Sequence, residues 1–317
     1  MNRVTLLGCT GLSINPLVFG TLPLGPLQAA FSPEKGGSLI RYALERGVNL
    51  LDTAELYQTY PHIRSALAGF TGEVLIASKT HANTADAARL HVERALRELG
   101  RERLDIVHLH GARVADPFVE RPEVIEELLR MKDEGKIAHV GLSSHFVGAI
   151  RKSVKHPEIE VIHPLLNRTG MGIIDGTQME MADAIAACAV AGKGVYAMKA
   201  LAGGNLISSA RESLRYVLGV SGVHGIALGM LSEEEINGNL ALFQKDEADE
   251  EIWNGLEGRR RKLAIMHAFC KGCGACVPAC TNNALKMVEG KAHVDDAECI
   301  LCGYCGAACP EFMIRVV

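Results

Sequence analysis

Toward its C-terminal end the chain repeats one cysteine spacing, and that repeat limits what the segment can fold around. Cys270, Cys273, Cys276 and Cys280 follow the pattern Cys-x2-Cys-x2-Cys-x3-Cys, and Cys299, Cys302, Cys305 and Cys309 follow it again. Each cysteine of the second set lies 29 positions after its counterpart, so the segment is an internal duplication. In this spacing three thiolates wrap one corner of a cubane, and the fourth, three residues further on, reaches the other cluster. Cys270, Cys273, Cys276 and Cys309 are therefore assigned to one [4Fe–4S] cluster, and Cys299, Cys302, Cys305 and Cys280 to a second. Gly272, Gly274, Gly303 and Gly306 suit a backbone that curls closely around a cluster and points N–H groups at sulfur. Structural zinc usually takes pairs of Cys-x2-Cys separated by a longer loop. Three cysteines in tandem, twice, followed by Cys309-Pro310, argue against it.

Eight of the ten cysteines lie in this segment of a 317-residue chain that shows no export signal, so a disulfide scaffold is not expected. Cys188, in an apolar helical stretch, reads as a core residue, and Cys9 lies in a turn. A net charge of −4 gives no reason to expect nucleic-acid binding. No apolar run approaches the roughly 20 residues of a membrane span, and the expected location is cytoplasmic.

From about residue 17 to 242, short apolar runs alternate with helical patterns. The strand candidates are Leu17–Gly20, Val48–Thr53, Val74–Lys79, Leu104–His110, Ala138–Ser143, Val161–Asn167, Val195–Ala200 and Gly225–Gly229. They read as near-continuous apolar runs, as parallel strands covered on both faces do. Amphipathic stretches such as Ala85–Leu99 and Pro122–Glu134 lie between them. Eight such units predict an α/β fold of the (β/α)8 barrel type. No Gly-x-Gly-x-x-Gly turn follows the first strand to support a doubly wound sheet. Val4–Leu7 and Leu12–Asn15 flank a Gly-Cys-Thr-Gly turn and predict an N-terminal β-hairpin that caps the barrel. The acidic run Gln244–Glu251 and the basic run Arg259–Lys262 read as a solvated helix leading to a small α+β second domain. The division expected is a barrel over residues 1–262 and a dicluster domain over 263–317.

Barrel active sites gather at the C-terminal ends of the strands. Asp52 and Tyr57 follow the second strand, Lys79 ends the third and His110 ends the fourth. A tyrosine titrates near 10, but a neighbouring ammonium favours its phenolate, and a carboxylate holds that ammonium in place. With a histidine to orient a carbonyl, the four make a general acid for the alkoxide formed when hydride reaches the carbonyl carbon.

Asp52-Thr-Ala-x-x-Tyr57, Ser78-Lys79, Asp105-Ile-Val-His-Leu-His110, His139-Val-Gly-Leu-Ser-Ser144, Tyr196-Ala-Met-Lys199-Ala-Leu-Ala-Gly-Gly204 and Gly229-Met-Leu-Ser-Glu-Glu-Glu235 together resemble the aldo-keto reductase superfamily, in its bacterial branch with a ferredoxin-like tail. Residues 264–317 resemble bacterial dicluster ferredoxins, although Thr281 rather than proline follows Cys280. The resemblance implies Tyr57 as proton donor, Lys79 and Asp52 as its tuning partners, and His110 as the substrate-orienting group. It implies an NAD(H) or NADP(H) site bordered by Gly20, Thr21, Ser143, Asn167, Lys199, Gly203, Gly229, Met230, Ser232, Glu235 and Asn239. The substrate it implies is a small carbonyl compound or alcohol, and Arg113, Arg168 and His145 are candidate contacts.

Three features depart from that pattern. Gln58 follows the tyrosine where glycine is usual, and Tyr60, Pro61 and His62 stand in the next loop in place of Ser-Glu. Residues 230–236 contain no Arg or Lys to meet a 2′-phosphate, so NADP is not favoured over NAD. Hydride carries two electrons and a cluster one, so coupling them calls for a flavin or similar intermediary. The leading expectation is an NAD(P)-dependent carbonyl reductase or alcohol dehydrogenase linked to a ferredoxin-type electron partner. The alternative is an electron-transfer or redox-sensing protein whose barrel is a binding scaffold.

Overall fold

The computed structural model describes residues 4–112, 114–245, 250–311 and 313–317. Arg113, and residues 246–249 of the acidic run, lie outside them. Eight parallel strands close a barrel: β3 (Leu17–Gly20), β4 (Leu50–Asp52), β5 (Leu75–Thr80), β6 (Leu104–Gly111), β7 (Ile137–Ser144), β8 (Val161–Pro164), β9 (Gly194–Ala197) and β10 (Gly225–Leu228), with β10 pairing back onto β3. All eight expected strands are present, with ends shifted by up to three residues. The shifts fall at the rims, where the apolar run outlasts the ladder hydrogen bonds.

Among the helices, α1 is Pro33–Leu44, α2 Tyr60–Leu67, α3 Ala85–Leu99, α4 Pro117–Glu120, α5 Pro122–Asp133, α6 Val147–Ser153, α7 Gln178–Val190, α8 Ala210–Gly219, α9 Glu233–Lys245 and α10 Glu250–Glu257. Local chemistry sets several ends: Thr84 caps α3 through Ala87 N–H, and Thr177 with Glu180 forms a capping box on α7. Helix α3 stops at Gly100 in the left-handed conformation. The apolar faces of the helices and the outer faces of the strands form one core. A separate core fills the N-terminal end of the barrel, where Leu7 and Ile14 of the hairpin β1 (Thr5–Leu6) and β2 (Ser13–Ile14) meet Val18, Leu50, Leu75, Ile106 and Val161. The hairpin is therefore the expected cap. Cys188 is fully buried, with its thiol against the Ile150 carbonyl, and Cys9 is exposed.

The expected solvated helix over the basic run is not what forms. Helix α10 ends at Glu257, and Arg259, Arg260 and Arg261 run as irregular chain along the wall of a cavity. Beyond them, β11 (Leu263–Ile265) pairs antiparallel with β14 (Ile314–Val316), and β12 (Leu285–Val288) with β13 (Lys291–Val294). The short helices α11 (Cys276–Ala279) and α12 (Tyr304–Ala308) complete this unit, whose apolar core includes Leu263, Leu285, Ala292 and Ile314 together with cysteines of both motifs.

This unit sits on the C-terminal rim of the barrel. The Cys299–Cys305 loop forms the contact: Asn205 Nδ2 donates to the Cys299 carbonyl at 2.8 Å, and Gln28 Nε2 to the Leu301 carbonyl at 3.4 Å. The approach is close enough to require glycine. A Cβ on Gly203, which has φ +71°, would lie 1.8 Å from the Ile300 carbonyl oxygen, and one on Gly303, at φ +82°, 2.5 Å from that of Leu27.

Candidate active site and cluster sites

The ends of β4, β5 and β6 bring Asp52, Lys79 and His110 to one rim, and a 3-10 turn, Glu55–Tyr57, returns Tyr57 over them. Gln58 ends that turn at φ +55°, a left-handed conformation that explains why glycine suits the position. Lys79 Nζ donates to Asp52 Oδ2 at 2.6 Å and to the Thr53 carbonyl at 2.8 Å. Its nitrogen lies 5.0 Å from the centre of the Tyr57 ring. Two of the three ammonium donors are thus satisfied by Asp52 and Thr53. The other Asp52 oxygen accepts from Tyr196 Oη at 3.0 Å, and Tyr196 Oη in turn meets His108 Nε2 at 2.6 Å. The His110 ring stands edge-on to Tyr57, with centres 6.3 Å apart.

All four expected catalytic side chains therefore converge. Tyr196 and His108, together with His163, whose Nε2 lies 3.7 Å from Asp52 Oδ1, supply the support that sequence reading did not assign. Their signal is weak, because a polar residue facing a barrel interior reads like any buried strand residue.

The electrostatics differ from expectation at Tyr57. Burial pushes its pKa well up, with Tyr304 and Asp52 adding to the shift, and this outweighs the neighbouring ammonium. Burial likewise lowers the pKa of Lys79, opposed by Asp52. His110 is held neutral, its pKa well below the ordinary histidine range, by burial and by the nearby Lys79 charge. The arrangement thus presents a protonated phenol next to a neutral imidazole.

The side chain that sequence reading missed altogether is Tyr304, from the cluster-bearing unit. It packs against Tyr57, and its hydroxyl lies 3.4 Å from His110 Nε2. It is the second of the two residues between Cys302 and Cys305, a position whose tertiary contact no spacing could reveal.

A cavity of about 520 Å³ extends from Asp52, Tyr57 and His163 past Lys199 to Glu235, Asn239 and the three linker arginines. Of the expected dinucleotide contacts, Gly20, Lys199, Gly203, Gly229, Glu235 and Asn239 line it. Thr21, Ser143, Asn167, Met230 and Ser232 are not among its lining residues. Thr21 is occupied by Asp52 and Thr59, and the Asn167 side chain by Thr169 and Met171. Ser143 Oγ is buried without a hydrogen-bond partner among the described residues. Arg168 is tied to Ser209, Ser213 and Glu212, while His145 is buried with its pKa lowered to about 3.

The cysteines separate into the two expected quartets. Cys270, Cys273, Cys276 and Cys309 line one small cavity, and Cys280, Cys299, Cys302 and Cys305 another. Four thiols facing one void, twice over, fit two four-iron clusters. Cys302 and Cys299 also act electrostatically on the buried Lys199, which puts the second quartet against the barrel cavity.

A closed eight-stranded barrel with an Asp–Lys–Tyr–His rim defines a class of oxidoreductase folds, and comparison with known proteins agrees. Residues 16–212 match the Aldo/keto reductase family and residues 269–313 a 4Fe-4S dicluster domain, so this chain belongs to the aldo/keto reductase family and carries an iron–sulfur domain. It is 28% identical over 172 residues to the oxidoreductase YqkF of Bacillus subtilis, covering 50% of this chain and 54% of that one. It is 30% identical over 157 residues to the aldo-keto reductase YhdN of the same organism, covering 44% and 46%. The chain thus spans about half the length of the curated relatives it matches. A solved aldo-keto reductase from Pseudomonas aeruginosa superposes with a TM-score of 0.66 at 26% identity, covering 76% of this chain and 95% of that one. One from Bacillus halodurans, at 22% identity and a TM-score of 0.65, shares the fold and covers 81% and 96%. Among the described residues no helix is long and apolar enough to cross a membrane.

Proposed function

We propose that the protein interconverts a small carbonyl compound and its alcohol with a nicotinamide dinucleotide, Tyr57 serving as general acid and base. The observation that carries this reading is Lys79, fixed by Asp52 and Thr53 beside the ring of Tyr57, which lines a cavity of about 520 Å³. A bound nicotinamide supplies hydride to the carbonyl carbon. Tyr57 then gives its proton to the developing alkoxide, and Lys79 stabilises the resulting phenolate while Asp52 keeps that ammonium in position. Neutral His110 hydrogen-bonds the carbonyl oxygen and orients it. Gly20, Lys199, Gly203, Gly229, Glu235 and Asn239 border the dinucleotide. Cys270, Cys273, Cys276 and Cys309 hold one [4Fe–4S] cluster, and Cys299, Cys302, Cys305 and Cys280 the other. Held there, the clusters would exchange single electrons with a ferredoxin-type partner, and coupling them to hydride would call for a flavin or similar intermediary.

Tyr57→Phe is the test. It should lower carbonyl turnover by roughly a hundredfold or more, the usual contribution of a positioned acid, with circular dichroism and cluster absorbance unchanged. Undiminished turnover would exclude Tyr57 as the proton donor.

One observation favours a second reading, an electron-transfer protein with the barrel as scaffold. The Tyr304 hydroxyl meets His110 Nε2, and its ring packs against Tyr57, so it stands at the groups a carbonyl oxygen needs. An anaerobic titration with NADH and then NADPH, followed by visible absorbance and EPR, separates the two readings. Saturable binding, with or without cluster bleaching, supports the reductase. Absence of nicotinamide binding supports the scaffold.

A further inference from the structure

The cavity wall carries an imbalance of charge. Among the described residues, the carboxylate side chains lining it are Asp52 and Glu235, and both are occupied: Asp52 by Lys79 and Tyr196, Glu235 by Arg259 and by the Leu231 N–H. The lining cations Lys199 and Arg261 have no carboxylate within ion-pair distance among the described residues. Arg261 donates from one guanidinium nitrogen to Gln28 Oε1 at 3.2 Å, a neutral acceptor. Burial lowers its pKa, with Glu235 acting only at longer range. Its stem lies along the Leu201–Gly204 turn, where a Cβ on Gly204 would come within 3.2 Å of Arg261 Cδ.

A partly desolvated guanidinium costs free energy unless an anion meets it. Here the fork faces a cavity rather than a protein carboxylate. We propose that Arg261, in the linker between α10 and β11, binds the diphosphate of a nucleotide lying in the cavity. The inference deepens the dinucleotide reading above. It gives the diphosphate a linker cation, distinct from the 2′-phosphate cation that residues 230–236 lack. It also ties the ligand to the cluster-bearing unit, because Lys262, the next residue, exchanges backbone hydrogen bonds with Val317, and Gln28 joins Arg261 to the Leu301 carbonyl of the cluster loop.

The test measures binding of NADPH, ADP and inorganic pyrophosphate to the cluster-loaded full chain and to its Arg261→Gln and Arg261→Lys variants, with cluster absorbance confirming the fold. Loss of charge-assisted hydrogen bonds should weaken ADP and NADPH binding in Arg261→Gln by roughly tenfold to a hundredfold, with partial recovery in Arg261→Lys. If wild type and Arg261→Gln bind all three equally, the assignment is overturned while the dinucleotide reading stands. Wild-type binding of ADP and pyrophosphate but not of NADPH, lost in Arg261→Gln, would keep the anion site and confine the nicotinamide reading to NADH. If wild type binds none of them, both fall.

Discussion

His108, His145 and His163 are buried around the barrel's active end and His110 is partly buried beside them, and desolvation is the first cause holding each pKa below the ordinary histidine range. As pH falls through about 6.5, the unfolded chain takes up protons that the native barrel refuses. The unfolded state then binds more protons, so stability declines with falling pH across that window. His145, whose pKa is lowered from 6.5 to about 3, contributes through most of the interval between those values. Thermal unfolding of the cluster-loaded protein should show a shallower loss of Tm between those limits in His145→Gln than in wild type. An identical slope would mean that His145 is protonated within the fold. The histidines were visible in the sequence, but their neutral state was not. Enclosure decides it, and enclosure comes from strands far apart in the chain. Tyr57 shows the same limit: its partners could be named, yet burial reverses the direction of its expected shift.

At the level of elements, the strands were legible because β-branched runs covered on both faces need no knowledge of their neighbours. The duplicated cysteine loops were legible because ligand spacing is local. What was not legible is docking. Residues 299–305 form a roof over the barrel mouth, and the linker read as solvated charge is part of a wall. Both depend on which surfaces meet, which a charge run or two residues between cysteines cannot encode. The roof predicts a specificity effect. Tyr304→Ala should open the space above Tyr57 and His110 and lower KM for bulky ketones relative to small aldehydes. Tyr304→Phe, which keeps the ring, should leave that ratio near wild type. Equal ratios in all three proteins would show that the roof does not limit the substrate.

Across the whole molecule, the cavity touches the barrel, the linker and the cluster loop, with Leu301 and Val317 among its lining residues. A ligand held there contacts both units at once and stabilises the arrangement that retains the clusters. At a hundred times its Kd, such a ligand adds about 2.7 kcal/mol to the bound state. Saturating ADP should therefore slow the bleaching of cluster absorbance by an iron chelator in wild type, and should do so much less in Arg261→Gln. Equal protection in both would separate nucleotide binding from cluster retention.

Gly203 leaves no clearance between the two units, since even a methyl group there would collide with the Ile300 carbonyl. Position 203 is in effect a shim whose thickness is set at zero. A single added carbon would act as a spacer, propping the roof away from the rim and leaving the barrel and the iron–sulfur unit as neighbours on one chain rather than parts of one machine.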